Sequence, residues 1–198
     1  MTIIDRIRMV LVEPSKFFNY AKKEKGIARA FWYLASLSLF TSVAGLIVAY
    51  FTSSWVQLYI SRLINIPLPV FDSKIFLIIV AILSYIVGLG LSFVGAGILH
   101  GWILLWGGKA DYTKTYQLSV YSSTAYMVLG WLPVIGLLAR IYDLYLLIIG
   151  TTKMHDLSLN RSIWMYLIPV VFFVIMCVIA VVMGFFALRL VNPTYLSI

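Results

Sequence analysis

Four side chains in this sequence combine a reactive type with an apolar setting: His100, Tyr121, Arg140 and Asp143. An imidazole, a phenol and a carboxylate at one depth could relay a proton or hold a small ligand in a cavity open to the cytoplasm. Arg140 and Asp143 are three residues apart, so on a helix they share a face and can pair. The same groups also suit a satisfied polar cluster that fixes helix register, and both readings stand at this stage. No HExxH, GxSxG, phosphate-binding loop or paired His/Cys spacing accompanies them. Asp143 is the lone acid within the apolar segments, so a paired-aspartate protease lacks its partner. Cys177 sits in an apolar run and reads as a small buried hydrophobe. The sequence therefore predicts no catalytic residue, no metal site and no cofactor.

The elements that position these groups follow from composition. The chain has 198 residues, of which 63% are hydrophobic and 11% charged. Its mean hydropathy is +1.01. A soluble domain is about 45–50% apolar and about 25% charged. That excludes a soluble enzyme, a secreted disulfide scaffold and a disordered chain. The sequence predicts an all-α polytopic membrane protein, a five-helix bundle preceded by amphipathic interfacial helices. The N-terminal segment is 1–29 and the transmembrane domain 30–198, with spans near 31–51, 75–106, 116–129, 134–150 and 163–188. The second span would be roughly 48 Å long against a hydrocarbon core of about 30 Å, so it must tilt, bend or project, with its glycines as the bend. The third and fourth form a hairpin about Gly130-Trp131-Leu132-Pro133. A re-entrant hairpin is the alternative, and either way the termini lie on opposite sides.

On this layout His100 and Asp143 each stand seven residues before a cytoplasmic span end, at Gly107 and Gly150, hence about 10 Å deep. Tyr121, Ser122 and Ser123 enter from that side to a similar depth. One polar layer could thus unite His100, Tyr121 and Asp143.

Orientation follows from the lysines and arginines. Arg6, Arg8, Lys16, Lys22, Lys23, Lys25 and Arg29 precede the first span, and Lys109, Lys114, Lys153 and Arg161 fall on the same side. The opposite side holds Arg62, Lys74 and Arg189. The N-terminus is therefore expected in the cytoplasm and the tail at 195–198 outside, in the cell membrane if the source is prokaryotic. The formal charge of +8 stands beside apolar segments, so anionic lipid headgroups, not nucleic acid, are the expected counter-charge. Lys16, Lys22, Lys23 and Lys25 are the expected membrane-surface cations. Ile3, Ile7, Val10 and Leu11 share one helical face, and Pro14 suits the first turn of a second short helix bearing Phe17 and Phe18. A solvated basic lead-in is the alternative. Trp55, Leu58 and Tyr59 predict a short surface helix on the far side, ended by Pro67 and Pro69.

Small residues recur along the second span. Ser84, Gly88, Ser92 and Ala96 are spaced by four, and Gly97 and Gly101 make a GxxxG. Such a face lets another helix approach closely, from the same chain, a second copy or another membrane protein.

The stretch Trp106 to Arg161 resembles the Yip-domain family, the Ypt/Rab-interacting integral membrane proteins. The resemblance rests on Trp-Gly-Gly-Lys at 106–109 (Gly107, Gly108, Lys109), Tyr121-Ser122-Ser123, Leu132-Pro133-Val134-Ile135-Gly136, the run to Gly150, and His155-Asp156-Leu157-Ser158. Glu13-Pro14-Ser15-Lys16-Phe17-Phe18 is similar to that family's N-terminal lead. The resemblance implies five spans, a cytoplasmic N-terminus and a role in membrane organisation or traffic, with small GTPases as partners in eukaryotic relatives. This chain looks like the short prokaryotic members, and Ser123-Thr124-Ala125 lacks the proline common after Tyr-Ser-Ser. The expected function is a non-enzymatic scaffold or adaptor. The alternative is a small proton-linked transporter or channel using the Asp/Arg/His/Tyr cluster.

Overall fold

The structure, a computed structural model, describes residues 1–64 and 74–191. These form helices α1 (Ile3–Val12), α2 (Pro14–Ala21), α3 (Ala28–Ile64), α4 (Lys74–Leu105), α5 (Tyr112–Ser122), α6 (Thr124–Leu129), α7 (Pro133–Met154) and α8 (Leu159–Val191), with no strand among the described residues.

Local chemistry sets the ends. Thr2 and Asp5 form a capping box at the start of α1, and Pro14 occupies the first turn of α2. Gly107, at φ +91°, lets the chain turn out of α4 while the Gly108 amide donates back to the Ile103 carbonyl. The Asp111 side chain accepts from the Lys114 amide at the start of α5.

Among the described residues, four helices are long and apolar enough to cross a membrane: Ala28–Thr52, Lys74–Leu105, Val134–Met154 and Leu159–Gly184. The expected third span, 116–129, is not one of them, because the chain breaks there into α5, of 11 residues, and α6, of six. The cause is a run of hydroxyls, not a proline. Ser122 and Ser123 both donate to the Ser119 carbonyl, and Thr124 donates to the Tyr121 carbonyl, drawing the helix out of register at Ser123. Two further expectations change. Residues Trp55 to Tyr59 are not a separate surface helix; they continue α3. The glycines of the second span do not interrupt α4. Pro67, Pro69 and the tail at 195–198 lie outside the described residues.

The core is built around α5, which packs on α3, α4 and α7 and buries Thr115, Tyr116, Gln117, Leu118, Val120 and Tyr121. The N-terminal helices belong to the same core: α2 lies along α7, and α1 lies against α2 and α6. Val10, Phe17, Phe18 and Ala21 are fully buried beside Tyr33, Tyr121 and Leu146. Each buried phenylalanine stabilises the arrangement by roughly 1.5–3 kcal/mol. Phe17 meets Tyr121 edge-on at 4.9 Å.

Burial is uneven along the long helices. Among the described residues, the last buried side chain of α3 is Leu37, the first of α4 is Ala96 and the last of α8 is Tyr166. Beyond these points α4 and α8 turn apolar side chains such as Ile82, Phe172 and Val181 outward.

Candidate functional site

Alpha-helix α5 carries a polar face that does three separate jobs. Its last turn supplies Tyr121, whose hydroxyl donates to Glu24 Oε2 at 2.7 Å and accepts from Arg6 Nη1 at 2.8 Å. Arg6 Nη2 closes the triangle on Glu24 Oε1 at 2.6 Å. All three side chains are buried. Burial works against the Arg6 charge, but the Glu24 hydrogen bond and the polar neighbours outweigh it and raise the guanidinium pKa. Its first turns hold the loop after α2. Lys114 Nζ donates to the Glu24 carbonyl and to Gln117 Oε1, and Gln117 Nε2 donates to the Gly26 carbonyl at 2.7 Å. On the surface above, Lys22 pairs with Asp156 at 2.6 Å, and Tyr142 of α7 donates to the Leu11 carbonyl. The N-terminal segment is thus fixed to the bundle at its start, middle and end.

The second network is His100–Thr115–His155. Thr115 Oγ1 stands 2.8 Å from His100 Nδ1 and 3.1 Å from His155 Nε2. His155 is fully buried, and its Nδ1 has no hydrogen-bond partner. One assignment of protons avoids an orphaned N–H there: His155 Nε2–H donates to Thr115, and Thr115 donates to His100 Nδ1. Burial first, then the neighbouring His100, pulls the His155 pKa down to about 4, against opposite contributions from Asp111 and Asp156.

The third network is built on Asp143 of α7. Its Oδ1 accepts from the amides of Ala125, at 3.1 Å, and Tyr126, at 3.3 Å. These are orphan donors of the first turn of α6, exposed by the break at Ser123, so Asp143 caps α6 from a different helix. Arg140 lies over the Tyr126 ring at 3.3 Å rather than in an ion pair among the described residues.

The four singled-out residues therefore do not form one layer: no hydrogen bond among the described residues joins His100, Tyr121 and Asp143, and the expected Arg140–Asp143 pair is replaced by a ring contact and a helix cap. The motif positions have packing reasons. A Cβ on Gly150 would stand 2.8 Å from Phe18 Cζ, and one on Gly108 would stand 3.2 Å from His155 Nδ1. A Cβ on Gly136 would stand 2.9 Å from the Gly130 carbonyl oxygen. Pro133 opens α7, and Lys109 is exposed. Of the membrane-surface cations, Lys22 holds Asp156 and Lys16 holds Glu13, whereas Lys23 and Lys25 are exposed outside the ion pairs of the described residues.

The small-residue face of α4 divides. Ser92 meets Tyr116 at 3.3 Å, and Ala96 is buried. Added Cβ atoms on Gly88 and Gly101 would meet nothing within 4 Å. Gly97 and Gly101 line an apolar groove of about 910 Å³ with Trp102, Leu147, Pro169 and Phe172; none of the four singled-out polar residues lines it. Ser84 lines a smaller gap against α3.

Sequence reasoning misses Glu24, Thr115 and Gln117, and takes Asp156 only as a motif position. Arg6 was read as an interfacial cation. The one signal is that Glu24 is an acid within a basic run.

Matched against protein-family models, residues 8–182 fit the Yip1 domain. No curated protein and no solved structure gives a significant match. The match covers the helices from within α1 to the far part of α8, and the chain is a member of the Yip1-domain family of integral membrane proteins.

Proposed function

We propose that this protein is a non-enzymatic membrane scaffold or adaptor in which α3, α4 and α8 cross the membrane while α5, α6 and α7 enter and leave on the cytoplasmic side, so that its N-terminus lies in the cytoplasm and its C-terminus on the opposite side. It acts through helix packing and a basic cytoplasmic face made by the docked N-terminal helices. The observation that carries this reading is the engagement of Tyr121, whose hydroxyl donates to Glu24 and accepts from Arg6 in a buried triangle. Those bonds give Tyr121 a structural task, which is to hold the N-terminal segment against α5. The partners this suits are anionic headgroups, for Arg8, Lys23, Lys25 and Arg29, and a second copy or another membrane protein, for the open glycines of α4.

The test uses the full chain in zwitterionic nanodiscs, mixed with vesicles containing phosphatidylserine. Wild type should capture the vesicles. Lys23→Glu with Lys25→Glu should weaken capture by about tenfold or more, since each basic residue near an anionic surface is worth about 1 kcal/mol. Equal capture by the variant contradicts the basic-face reading.

A further inference from the structure

The helices are distributed unequally between the two ends of the molecule. Thr41 of α3 donates to the carbonyl of Met127, two residues before α6 ends. Beyond that level α3 runs on to Ile64, roughly 35 Å further. Lys74, at the start of α4, bonds the Tyr50 hydroxyl at 2.9 Å, so α4 accompanies α3 past the tip of α6. The end bearing the N-terminus holds α1, α2, α5 and most of α7 as well as the near halves of α3, α4 and α8. Among the described residues, the far end holds the remaining lengths of α3, α4 and α8, with no fully buried side chain. The helix α1 widens the first end further. Its inner face is Arg6 and Val10, and its outer face repeats every four residues as Ile4, Arg8 and Val12, with Ile4 76% and Val12 69% exposed. An outward apolar stripe interrupted by one arginine is suited to the boundary between headgroups and acyl chains.

We propose that the protein is a wedge that concentrates in, and stabilises, membranes whose cytoplasmic surface is convex. A body wider in one leaflet than the other displaces more lipid area on its wide side. That mismatch is relieved where the wide side faces outward on a curved surface. The proposal rests on the cytoplasmic placement of the N-terminus but not on the basic face. The ligand is the shape of the bilayer rather than a particular headgroup.

The experiment reconstitutes the full chain, with an N-terminal tag, into vesicles of pure phosphatidylcholine, which removes attraction by charge. The vesicles are fractionated by diameter, and added protease reports the fraction of tags facing out. The ratio of N-terminus-out to N-terminus-in should rise about threefold from the largest to the smallest vesicles, where the outer surface is most convex. A ratio that does not change with diameter, or one that falls, overturns the proposal. Loss of phosphatidylserine capture by the lysine variants leaves this result untouched, so the two readings fail separately.

Discussion

Arg6 and Glu24, eighteen residues apart in the sequence, meet at 2.6 Å in the interior, with Tyr121 of α5 bonded to both. Removing one partner of a buried pair leaves the other charge uncompensated, at a cost of about 3–5 kcal/mol. Glu24→Ala should therefore lower the thermal unfolding midpoint in detergent and expose residues 1–27 to protease. Replacing the pair together, as Arg6→Met with Glu24→Leu, should recover much of the loss. A Glu24→Ala protein as stable and as protease-resistant as wild type would contradict the triangle.

Asp143 caps α6 through Oδ1. Asparagine keeps an acceptor at that position and alanine does not. Asp143→Ala should cost about 1–2 kcal/mol of stability, and Asp143→Asn should cost clearly less. A transport role predicts the other order of importance, with loss of charge in Asp143→Asn abolishing flux. Thermal unfolding of the two variants beside a proton-flux assay in liposomes separates them.

Gly150 faces Phe18 and Leu118 with no room for a methyl group. Gly150→Ala should destabilise by about 1–3 kcal/mol through overpacking. Gly88→Ala and Gly101→Ala meet open space inside α4 and should leave the isolated chain at least as stable, by up to about 1 kcal/mol each. If they instead weaken association of copies in a cross-linking assay, the open glycines of α4 serve an intermolecular contact.

His155 is held neutral in the folded protein, with its pKa lowered from 6.5 to about 4. The unfolded chain takes up its proton first as pH falls. Its contribution to stability is full above pH 6.5 and is lost as the pH drops toward 4. The groups facing it are Thr115, His100, Asp111, Asp156 and Lys22. A series of unfolding midpoints over that range should decline, and His155→Gln should flatten the decline while lowering the value at neutral pH.

The apolar runs placed α3, α4, α7 and α8 because a lipid-facing helix writes its character into every residue of a long window. Gly130-Trp131-Leu132-Pro133 marked the hairpin because proline opens α7 there. The break at Ser123 was not legible, since serine and threonine sit in helices of both kinds and only their back-bonding to Ser119 and Tyr121 ends this one. Asp143 was read toward Arg140 because side-chain spacing is visible in a sequence, whereas a cap on the backbone of another helix has no spacing. Arg6 and Glu24 were hidden for a similar reason. A buried ion pair between two polar residues of a basic segment has no periodicity, and both residues resemble solvated surface charge until α5 brings Tyr121 between them.

The first 27 residues pack as part of the folded core rather than standing off as a mobile basic arm. Amide hydrogen exchange on the intact protein in nanodiscs distinguishes a packed segment from a free arm. Amides of Arg6 to Ala21 should be protected to the same degree as those of α5, and Glu24→Ala should release them while α5 stays protected. Exchange of the wild-type segment at the rate of an unstructured peptide would show that it is not docked on the bundle.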